Sequence, residues 1–294
     1  METYDVLEGR KKLIVGLLDG KGSVELVDVS PRIAPVGYTP EFAMVRAART
    51  SFGLGLKDPV TDTKLLRYLL VNHHTSPIEM ANATFRVVAP KDVVTHFLRH
   101  RTGKFNVFSL RYASIEEENN FYNPLLNENG IRKGLKLNKQ SSEVISNDEQ
   151  ISKIKEKMEK ANELTIEIHK IYKDMIDLGL ANEIARFWLP CSEYVTMYCQ
   201  FDINNLMKML TLRVDSHTQM ETTEYAKAML ELITPLFPTC VEVLKERMEG
   251  MSLMKSELDV ITGEKDIKDI PSVSEKSALK EKMNKLSKNG MFLI

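Results

Sequence analysis

The sequence has few cysteines, and they are not spaced as a disulfide framework or a zinc knuckle requires. Cys191, Cys199 and Cys240 are odd in number and form no CxxC pair, so we expect a reducing, cytoplasmic setting. Long apolar runs are also missing. No stretch approaches the ~18 residues of a membrane span, and the N-terminal METYDVLEGRKK lacks the apolar core of a secretory signal. We therefore expect a soluble protein that is neither exported nor anchored in a membrane.

The chain also lacks an excess of charge of either sign. It contains 40 Lys and Arg against 41 Asp and Glu, which gives a formal net charge of -1. No overall field then draws the protein to nucleic acid or to an anionic membrane, and any anion must be bound by a local cluster. The apolar fraction of 43% is enough to fill the core of one large or two modest domains in 294 residues.

The hydrophobic pattern predicts an α+β (mixed α/β) protein, dominated by helices, with a small antiparallel or mixed sheet. SVELVDVS and ANATFRVVAP are rich in strand-forming residues and predict strands over 23–30 and 81–90. Apolar residues at helical spacing predict helices over 41–50, 61–74, 91–101, 151–178, 181–189 and 204–236.

Composition divides the chain into two parts. Residues 1–250 are predicted to form one domain, within which a polar, asparagine-rich stretch over about 114–150 is interpreted as an exposed insertion. The chain after Gly250 is charged and poor in aromatic residues. This predicts a C-terminal extension over 251–294, either helical or disordered.

The common nucleotide-binding and metal-binding motifs fail on spacing. GLLDGKGS (16–23) is not a P-loop, and GLGLKD (53–58) lacks the third glycine of a dinucleotide fingerprint. His73, His74, His96 and His100 are not accompanied by an HExxH motif or a cysteine partner. We expect polar histidines with satisfied hydrogen bonds and no metal site.

The basic stretch RHRTGKFNVFSLRY, residues 99–112, is the strongest chemical signal. On the predicted helix, His96, Arg99 and His100 share one face, which by itself fits a solvated surface. The apolar residues interleaved in the continuation favour a walled loop that binds a phosphate and a flat ring, because a guanidinium grips phosphate through paired hydrogen bonds.

Two arginines further along the chain lie among apolar neighbours. Arg213 continues the apolar stripe of Leu206 and Leu210, so its side chain should point inward and needs either a carboxylate or the electronegative edge of a ligand. Arg186, within EIARFWLP, is a candidate for a helix-end salt bridge or for ligand binding. The residues alone leave both choices open.

Arg99, His100 and Arg101, followed after seven residues by Ser109, form the RHRx7S signature, and the chain resembles the flavin-dependent thymidylate synthases. The resemblance runs over roughly residues 13 to 240 in the blocks GSVELVDVS, VRAARTSFGLGLKD, LLRYLLVNHHTSPIE, RHRTGKFNVFSLRY, FYNP, EIARFWLP and LTLRVDSHTQ. It implies a mixed α/β homotetramer with active sites shared between subunits, and FAD bound without a Rossmann motif. It also implies transfer of a methylene group from methylenetetrahydrofolate to C5 of dUMP and its reduction to methyl by a hydride from reduced FAD, with NADPH as the ultimate reductant.

The resemblance gives each candidate residue a role. It implies flavin contacts for His74, Ser76, Arg99, His100, Arg101, Asn106, Asp202, Asn204 and Lys208. It implies nucleotide contacts for His96, Arg99, Ser109, Leu110, Arg111, Arg186 and Arg213, with Ser109, Arg111 and an Arg186 that reaches from a neighbouring subunit at the phosphate. Arg213 is the implied catalytic residue, because it would contact the pyrimidine edge and favour ionisation at N3, which activates C5. Ser109 is not implied to be a nucleophile.

The chain departs from the family pattern at several of these positions. His96 stands where the family usually has Gln, and Val107 where it usually has Glu, which removes an acid from the expected pocket. Asp202, Asn204 and Lys208 stand where Asn, Arg and Asn are usual, and Lys208, one turn from Asn204, can compensate for the missing arginine.

These departures leave alternatives to the methylation of dUMP. One is the same flavin and folate chemistry on another pyrimidine nucleotide, dCMP or UMP, with transfer of a methyl or a hydroxymethyl group. Another is a protein that binds a flavin or a nucleotide without turnover. A nucleic-acid-binding module also fits the alternating basic and aromatic residues of 99–112, although the balanced net charge argues against it.

Overall fold

The computed structural model describes residues 2–115, 119–135, 142–215, 218–250 and 252–288, with the backbone alone described at residues 274, 285, 287 and 288. The chain divides into two compact units, Met1–Val243 and Leu244–Ile294. The predicted boundary after residue 250 stays a prediction. Parts of the predicted insertion (116–118 and 136–141) and the end of the predicted extension (289–294) lie outside the described residues.

Strands and helices alternate irregularly in the described chain. The strands are β1 (Thr3–Asp5), β2 (Ile14–Leu17), β3 (Gly22–Ser30), β4 (Ile33–Pro35), β5 (Asn82–Pro90), β6 (Lys104–Val107), β7 (Arg132–Gly134), β8 (Ser142–Val144) and β9 (Tyr194–Asp202). The α-helices are α1 (Phe42–Arg49), α2 (Pro59–Val71), α3 (Thr75–Ile78), α4 (Lys91–Phe97), α5 (Asp148–Asp177), α6 (Asn182–Ala185), α7 (Ile203–Arg213), α8 (Met220–Ile233), α9 (Pro238–Glu249), α10 (Lys255–Ile261) and α11 (Val273–Lys288). Short 3-10 helices cover Thr50–Phe52, Pro124–Leu126, Arg186–Trp188 and Ile267–Asp269.

A five-stranded sheet with the order β2-β3-β5-β9-β6 forms the centre of the first unit. All of its neighbouring strands are antiparallel. Two further pairs, β1 with β4 and β7 with β8, are also antiparallel. The helix-rich α+β class with a small antiparallel sheet is therefore confirmed.

The core lies on one face of this sheet. In β5 every second side chain is fully buried, including Phe85 and Val87, while the intervening side chains are partly exposed, which is the two-residue period expected of a half-buried strand. Helix α8 supplies buried side chains to the same core, among them Tyr225 and Met229. Tyr225 also donates a hydrogen bond from its hydroxyl to the carbonyl of Val88, at 2.8 Å.

Three helix predictions differ most from the structure, and the helix predicted over 61–74 ends at Val71. Helix α4 ends at Phe97 instead of continuing to residue 101. The predicted helix over 181–189 is the short α6 followed by a 3-10 turn. The predicted helix over 204–236 is two helices, α7 and α8, separated by the segment after Arg213.

Strand β9 was not predicted, and its pairing explains why α4 stops early. After α4 the chain must turn so that β6 can pair with β9, from Lys104 opposite Gln200 to Val107 opposite Met197. Gly103 lies in this turn, where a Cβ atom would stand 2.5 Å from the ring of Phe201. The turn therefore requires glycine, and Arg99 and His100 lie in the connection instead of on the helix.

The segment predicted as an exposed insertion is partly packed. Ile115, Phe121, Tyr122 and Ile145 are buried, and the main-chain N–H of Asn123 donates to the Asp19 carboxylate at 2.9 Å. In the described ranges, no helix is both long enough and apolar enough to cross a membrane.

Candidate active site

Arg213, the last residue of α7, is held by two hydrogen bonds. Its Nε donates to Nε2 of His100 at 2.9 Å, and one terminal nitrogen donates to the main-chain carbonyl of His96 at 3.1 Å. The side chain is half-buried, as the apolar stripe of the helix predicted. Among the described residues, these contacts use two of its five N–H groups, and the others can make further contacts.

The bond from Arg213 fixes the protonation of His100. Because Arg213 can only donate, Nε2 of His100 must accept, and the ring proton lies on Nδ1. Burial and the neighbouring Arg213 charge lower the pKa of His100 to about 4. Burial also lowers the pKa of Arg213, although a guanidinium stays charged at neutral pH. A neutral imidazole therefore holds a charged guanidinium.

Arg213 and His96 line a cavity of about 810 Å³. This volume lies within the range of small-molecule sites. The His96 ring is also fixed, because its Nδ1 lies 2.8 Å from the hydroxyl oxygen of Thr222 on α8. The other described residues that line the cavity are Thr211, Leu212, Asp215, Thr218 and Gln219. The sequence did not reveal Thr222, because its contact with His96 joins residues 126 positions apart.

The predicted phosphate residues form a second group. Leu110 is buried with Ala185 in a small apolar cluster, which places the turn of Ser109 and Arg111 against α6. Arg111 pairs with Glu183 of that helix at 3.4 Å, with both side chains about half exposed. Its main-chain N–H also donates to the Ser109 hydroxyl at 3.3 Å.

Arg186 follows α6 directly and is half-buried. The fold of one chain thus brings Arg186 to the same helical segment as Ser109, Leu110 and Arg111 through the neighbouring Ala185. The expectation that Arg186 serves the site of a neighbouring subunit stays a prediction.

His74 and Ser76 line a different pocket, of about 620 Å³. The chain turns sharply before them, since His73 has a positive φ of 59° between α2 and α3. The pocket wall is largely aromatic and apolar and includes Phe52 and Tyr68. The ring centroids of Tyr68 and His74 are 5.9 Å apart. Flat walls with a few polar groups suit a planar heterocycle.

The residues at the start of α7 have structural partners. Asp202 caps the helix, since its carboxylate accepts from the main-chain N–H of Asn205 at 2.9 Å and from its side-chain amide at 2.6 Å. Asn204 is buried and donates to the Glu79 carboxylate at 2.9 Å. Lys208 is exposed on the same helix. Of these three residues, Lys208 is the most exposed.

The remaining candidates lie on the surface. Arg99 and Arg101 are exposed in the turn after α4, and Asn106 is exposed on β6 opposite Tyr198. Within one chain, the structure thus brings His96, His100 and Arg213 together. It places the Ser109 group against α6 and puts His74 and Ser76 in a separate pocket.

Comparison with known proteins assigns this arrangement to a family. Residues 36–239 match the family described as thymidylate synthase complementing protein. The flavin-dependent thymidylate synthase of Dictyostelium discoideum is 36% identical over 262 residues, which cover 89% of this chain and 84% of that protein. The chain belongs to the flavin-dependent thymidylate synthase family. A member from Thermus thermophilus is 35% identical, over 85% of this chain and 86% of its own length.

A solved structure supports the same assignment. The UMP/dUMP methylase PolB of Streptomyces cacaoi, bound with 5-Br dUMP, superposes with a TM-score of 0.62 at 31% identity. The match covers 76% of this chain and 94% of that one. A second structure of the methylase, bound with 5-Br UMP, gives a TM-score of 0.59. The family is flavin-dependent by name, so its members share a flavin as cofactor.

Proposed function

We propose that this protein methylates dUMP at C5 to give dTMP, with FAD as cofactor, methylenetetrahydrofolate as carbon donor and NADPH as the ultimate reductant. The observation that carries the proposal is Arg213, a guanidinium fixed by His100 and the His96 carbonyl at the wall of a cavity large enough for a nucleotide. The family of the relatives supports the same reaction.

Arg213 supplies electrostatic activation. C5 of a pyrimidine becomes a carbon nucleophile when negative charge develops on the ring at N3 and its adjacent oxygens. A fixed guanidinium at that edge stabilises this charge without having to reorganise during the reaction. The neutral His100 ring accepts a hydrogen bond from Nε of Arg213. This bond fixes the orientation of the guanidinium, and with it the directions of the remaining terminal N–H groups.

Ser109, Leu110, Arg111 and Arg186 are proposed to hold the nucleotide. Arg111 and Arg186 provide charge for a phosphate, and the Ser109 hydroxyl provides a further hydrogen bond. The Glu183 carboxylate that pairs with Arg111 is exposed, so a phosphate can compete for Arg111 at little cost. Ser109 has a binding role here, because its hydroxyl accepts from a main-chain N–H and has no described base as partner.

The pocket of His74 and Ser76 fits the ring system of a flavin. The rings of Phe52, Tyr68 and His74 offer flat surfaces, and the hydroxyl of Ser76 offers a hydrogen bond. When bound, the flavin supplies the hydride that reduces the transferred methylene group to methyl. Further candidate contacts, all from the family resemblance, are Arg99, His100, Arg101, Asn106, Asp202, Asn204 and Lys208.

We further propose a homotetramer in which several chains complete each site. Within one chain the candidate residues lie in separate places, as described above. Phe187 and Trp188, which directly follow Arg186, are 75% and 67% exposed. Exposed large apolar groups beside a binding residue are typical of a surface covered by another chain.

We place the protein in the reducing cytoplasm, because the three cysteines are free thiols.

The proposal is tested by incubating the purified protein with FAD, NADPH, methylenetetrahydrofolate and one nucleotide at a time, followed by mass spectrometry. Addition of a methyl group to dUMP is the expected result. Product from dCMP or UMP with none from dUMP would overturn the choice of substrate. Binding of dUMP and flavin without any product would overturn the enzymatic function.

A further inference from the structure

The His96 imidazole is fixed from outside the nucleotide cavity. His96 lies in the last turn of α4 and lines the cavity beside Arg213. Its Nδ1 lies 2.8 Å from the hydroxyl oxygen of Thr222, the third residue of α8. Thr222 is fully buried. A buried hydroxyl needs a hydrogen-bond partner, and the His96 ring supplies one.

Contacts of the buried Glu221 carboxylate fix the first turn of α8, which carries Thr222. The residue before it, Glu221, accepts a hydrogen bond from Arg132 of β7 at 2.6 Å, and the two side chains are 6% and 14% exposed. The Tyr122 hydroxyl reaches the same carboxylate oxygen at 3.4 Å. A buried ion pair with this geometry restricts the first turn of α8. Tyr122 and Arg132 thus stabilise the helix end from which Thr222 reaches His96.

The contact at Nδ1 leaves Nε2 as the ring nitrogen that can meet a ligand. In a neutral imidazole one nitrogen donates and the other accepts. If the Thr222 hydroxyl donates to Nδ1, Nε2 carries the proton; if the hydroxyl accepts, Nε2 is an acceptor. The contact therefore holds the ring in one orientation, in which Nδ1 is engaged by Thr222 and Nε2 is left for a further partner, whereas an unrestrained ring can present either nitrogen.

The ring and the main chain of His96 have different hydrogen-bond partners. The main-chain carbonyl accepts from Arg213, while the ring is held by Thr222. A change at Thr222 frees the ring without removing the partner of Arg213. Nucleotide recognition and activation of C5 can therefore be separated experimentally.

We propose that Thr222 is a positioning residue for nucleotide recognition: its hydroxyl holds the His96 imidazole in one orientation, in which Nε2 meets the pyrimidine nucleotide. The inference deepens the proposed function and rests on it for the identity of the nucleotide. The contact between Thr222 and His96 does not depend on that identity.

The kinetic test compares Thr222→Val, which keeps the shape and removes the hydroxyl, with Thr222→Ser, which keeps the hydroxyl. Losing one hydrogen bond of about 1 kcal/mol should raise KM for dUMP about fivefold to tenfold in Thr222→Val, with kcat within about twofold. Thr222→Ser should stay within about twofold of the unchanged protein. Thr222→Ala replaces the valine variant if that variant does not fold.

The matched control is Thr223→Val, on the same helix. Thr223 is half-buried, and its hydroxyl donates to the Gln219 carbonyl at 3.3 Å instead of to His96. This variant should leave KM unchanged. In a His96→Ala background, Thr222→Val should add no further change in KM, since the two residues act through one contact. Equal KM values for Thr222→Val and the unchanged protein would overturn the proposal, as would an undiminished effect in the His96→Ala background.

A measurement without nucleotide separates this proposal from the proposed function. In protein labelled with ¹⁵N-histidine, the His96 ring resonances are assigned by their loss in His96→Ala. Thr222→Val should shift the Nδ1 resonance, and Thr223→Val should not. If the Nδ1 resonance shifts but the protein does not turn over dUMP, the positioning role of Thr222 is retained and dUMP is rejected as the substrate. An unshifted resonance would reject the positioning role even if dUMP is methylated.

Discussion

Arg213 is a cation held by two uncharged acceptors, the His100 ring and the His96 carbonyl. Neither acceptor cancels the charge, so both orient the guanidinium while leaving its field directed toward the cavity. The position at the end of α7 is also favourable, because the C-terminal end of a helix dipole stabilises positive charge. The same side chain is therefore both stable where it lies and suited to stabilise an anionic ring.

Replacing Arg213 by alanine should reduce kcat for dUMP methylation by about 100-fold or more, because removing one fixed electrostatic donor typically costs that much. The thermal unfolding temperature and the bound flavin absorbance should change little. Lys227→Ala, which removes an exposed cation from α8, is the control and should retain full activity. Near-normal turnover of Arg213→Ala would remove the catalytic role.

His100 predicts a pH dependence of stability. Its ordinary pKa of 6.5 is lowered to about 4 by burial and by Arg213. Between these two values the unfolded chain binds a proton that the native protein does not, so stability should fall as pH falls from 6.5 toward 4. Urea unfolding of His100→Gln, which keeps an acceptor for Arg213, should show a shallower slope in this range.

The control for this slope is His74→Gln, because His74 is exposed. That variant should retain the slope of the unchanged protein. An identical slope in His100→Gln would mean that the acid sensitivity comes from other groups.

Helix α5 has few buried side chains. Helix α5 has 30 residues, yet among those described only His169 and Tyr172 are buried. Tyr172 shares the cluster of Leu110 and Ala185. His169 pairs with Glu193 at 2.5 Å, with both side chains 1% exposed. The buried side chains of the helix thus lie in one region, which also supports the turn of Ser109 and Arg111, while Asn162 adds a hydrogen bond to Asn123 at 2.9 Å.

Tyr172→Ala should lower the free energy of unfolding by about 3–5 kcal/mol, the usual cost of removing a buried aromatic ring. It should also raise KM for dUMP, since the turn that carries Ser109 and Arg111 rests on the same cluster. Urea unfolding and steady-state kinetics measure the two effects. Ile171→Ala, at a half-exposed position, should change either quantity little; an equal loss there would contradict the assignment.

The strand pair of β7 and β8 provides a second element-scale test. Arg132→Met removes the cation that pairs with the buried Glu221 carboxylate, which should cost about 3–5 kcal/mol of unfolding free energy. The neighbouring Lys133 pairs with Glu143, and both side chains are about half exposed, so Lys133→Met should cost no more than about 1 kcal/mol. Urea unfolding distinguishes them, and equal effects would mean that the Glu221 pair does not hold α8.

Local pattern predicted some elements and missed others for identifiable reasons. Strand β5 follows from its alternating apolar residues, which pairing on both sides preserves. The end of α4 could not be predicted from periodicity, because it is set by the pairing of β6 with the distant β9. Strand β9 itself was available to prediction, since YVTMYCQFD is rich in aromatic and β-branched residues.

In the candidate site, too, the sequence predicted the placement of one residue but not the contacts that hold the site together. Arg213 was predicted to point inward from the stripe on its own helix, and it does. Its partner His100 and the support of His96 by Thr222 join residues 113 and 126 positions apart. Contacts of that kind are created by tertiary packing and carry no local signal.

At the scale of the whole molecule, the candidate residues of one chain lie in separate places, which favours sites completed by several chains. We expect analytical ultracentrifugation to give a mass about four times that of one 294-residue chain. Co-expression of Arg186→Ala and Arg213→Ala chains should restore part of the activity that each loses alone, because mixed assemblies contain some complete sites. A monomeric mass, or mixtures as inactive as the separate variants, would contradict shared sites.

Strand β6 has one further consequence for the seven residues that separate Arg101 from Ser109. Four of them pair with β9, and the Phe108 N–H continues the ladder to the Thr196 carbonyl at 2.8 Å. A strand rises about 3.3 Å per residue and alternates its faces. Insertion or deletion of a single residue would shift one end by that distance and turn the intervening side chains to the opposite face. The pairing of β6 with β9 therefore fixes the number of residues between Arg101 and Ser109. We expect related natural sequences to differ in which residues fill this segment but not in how many there are.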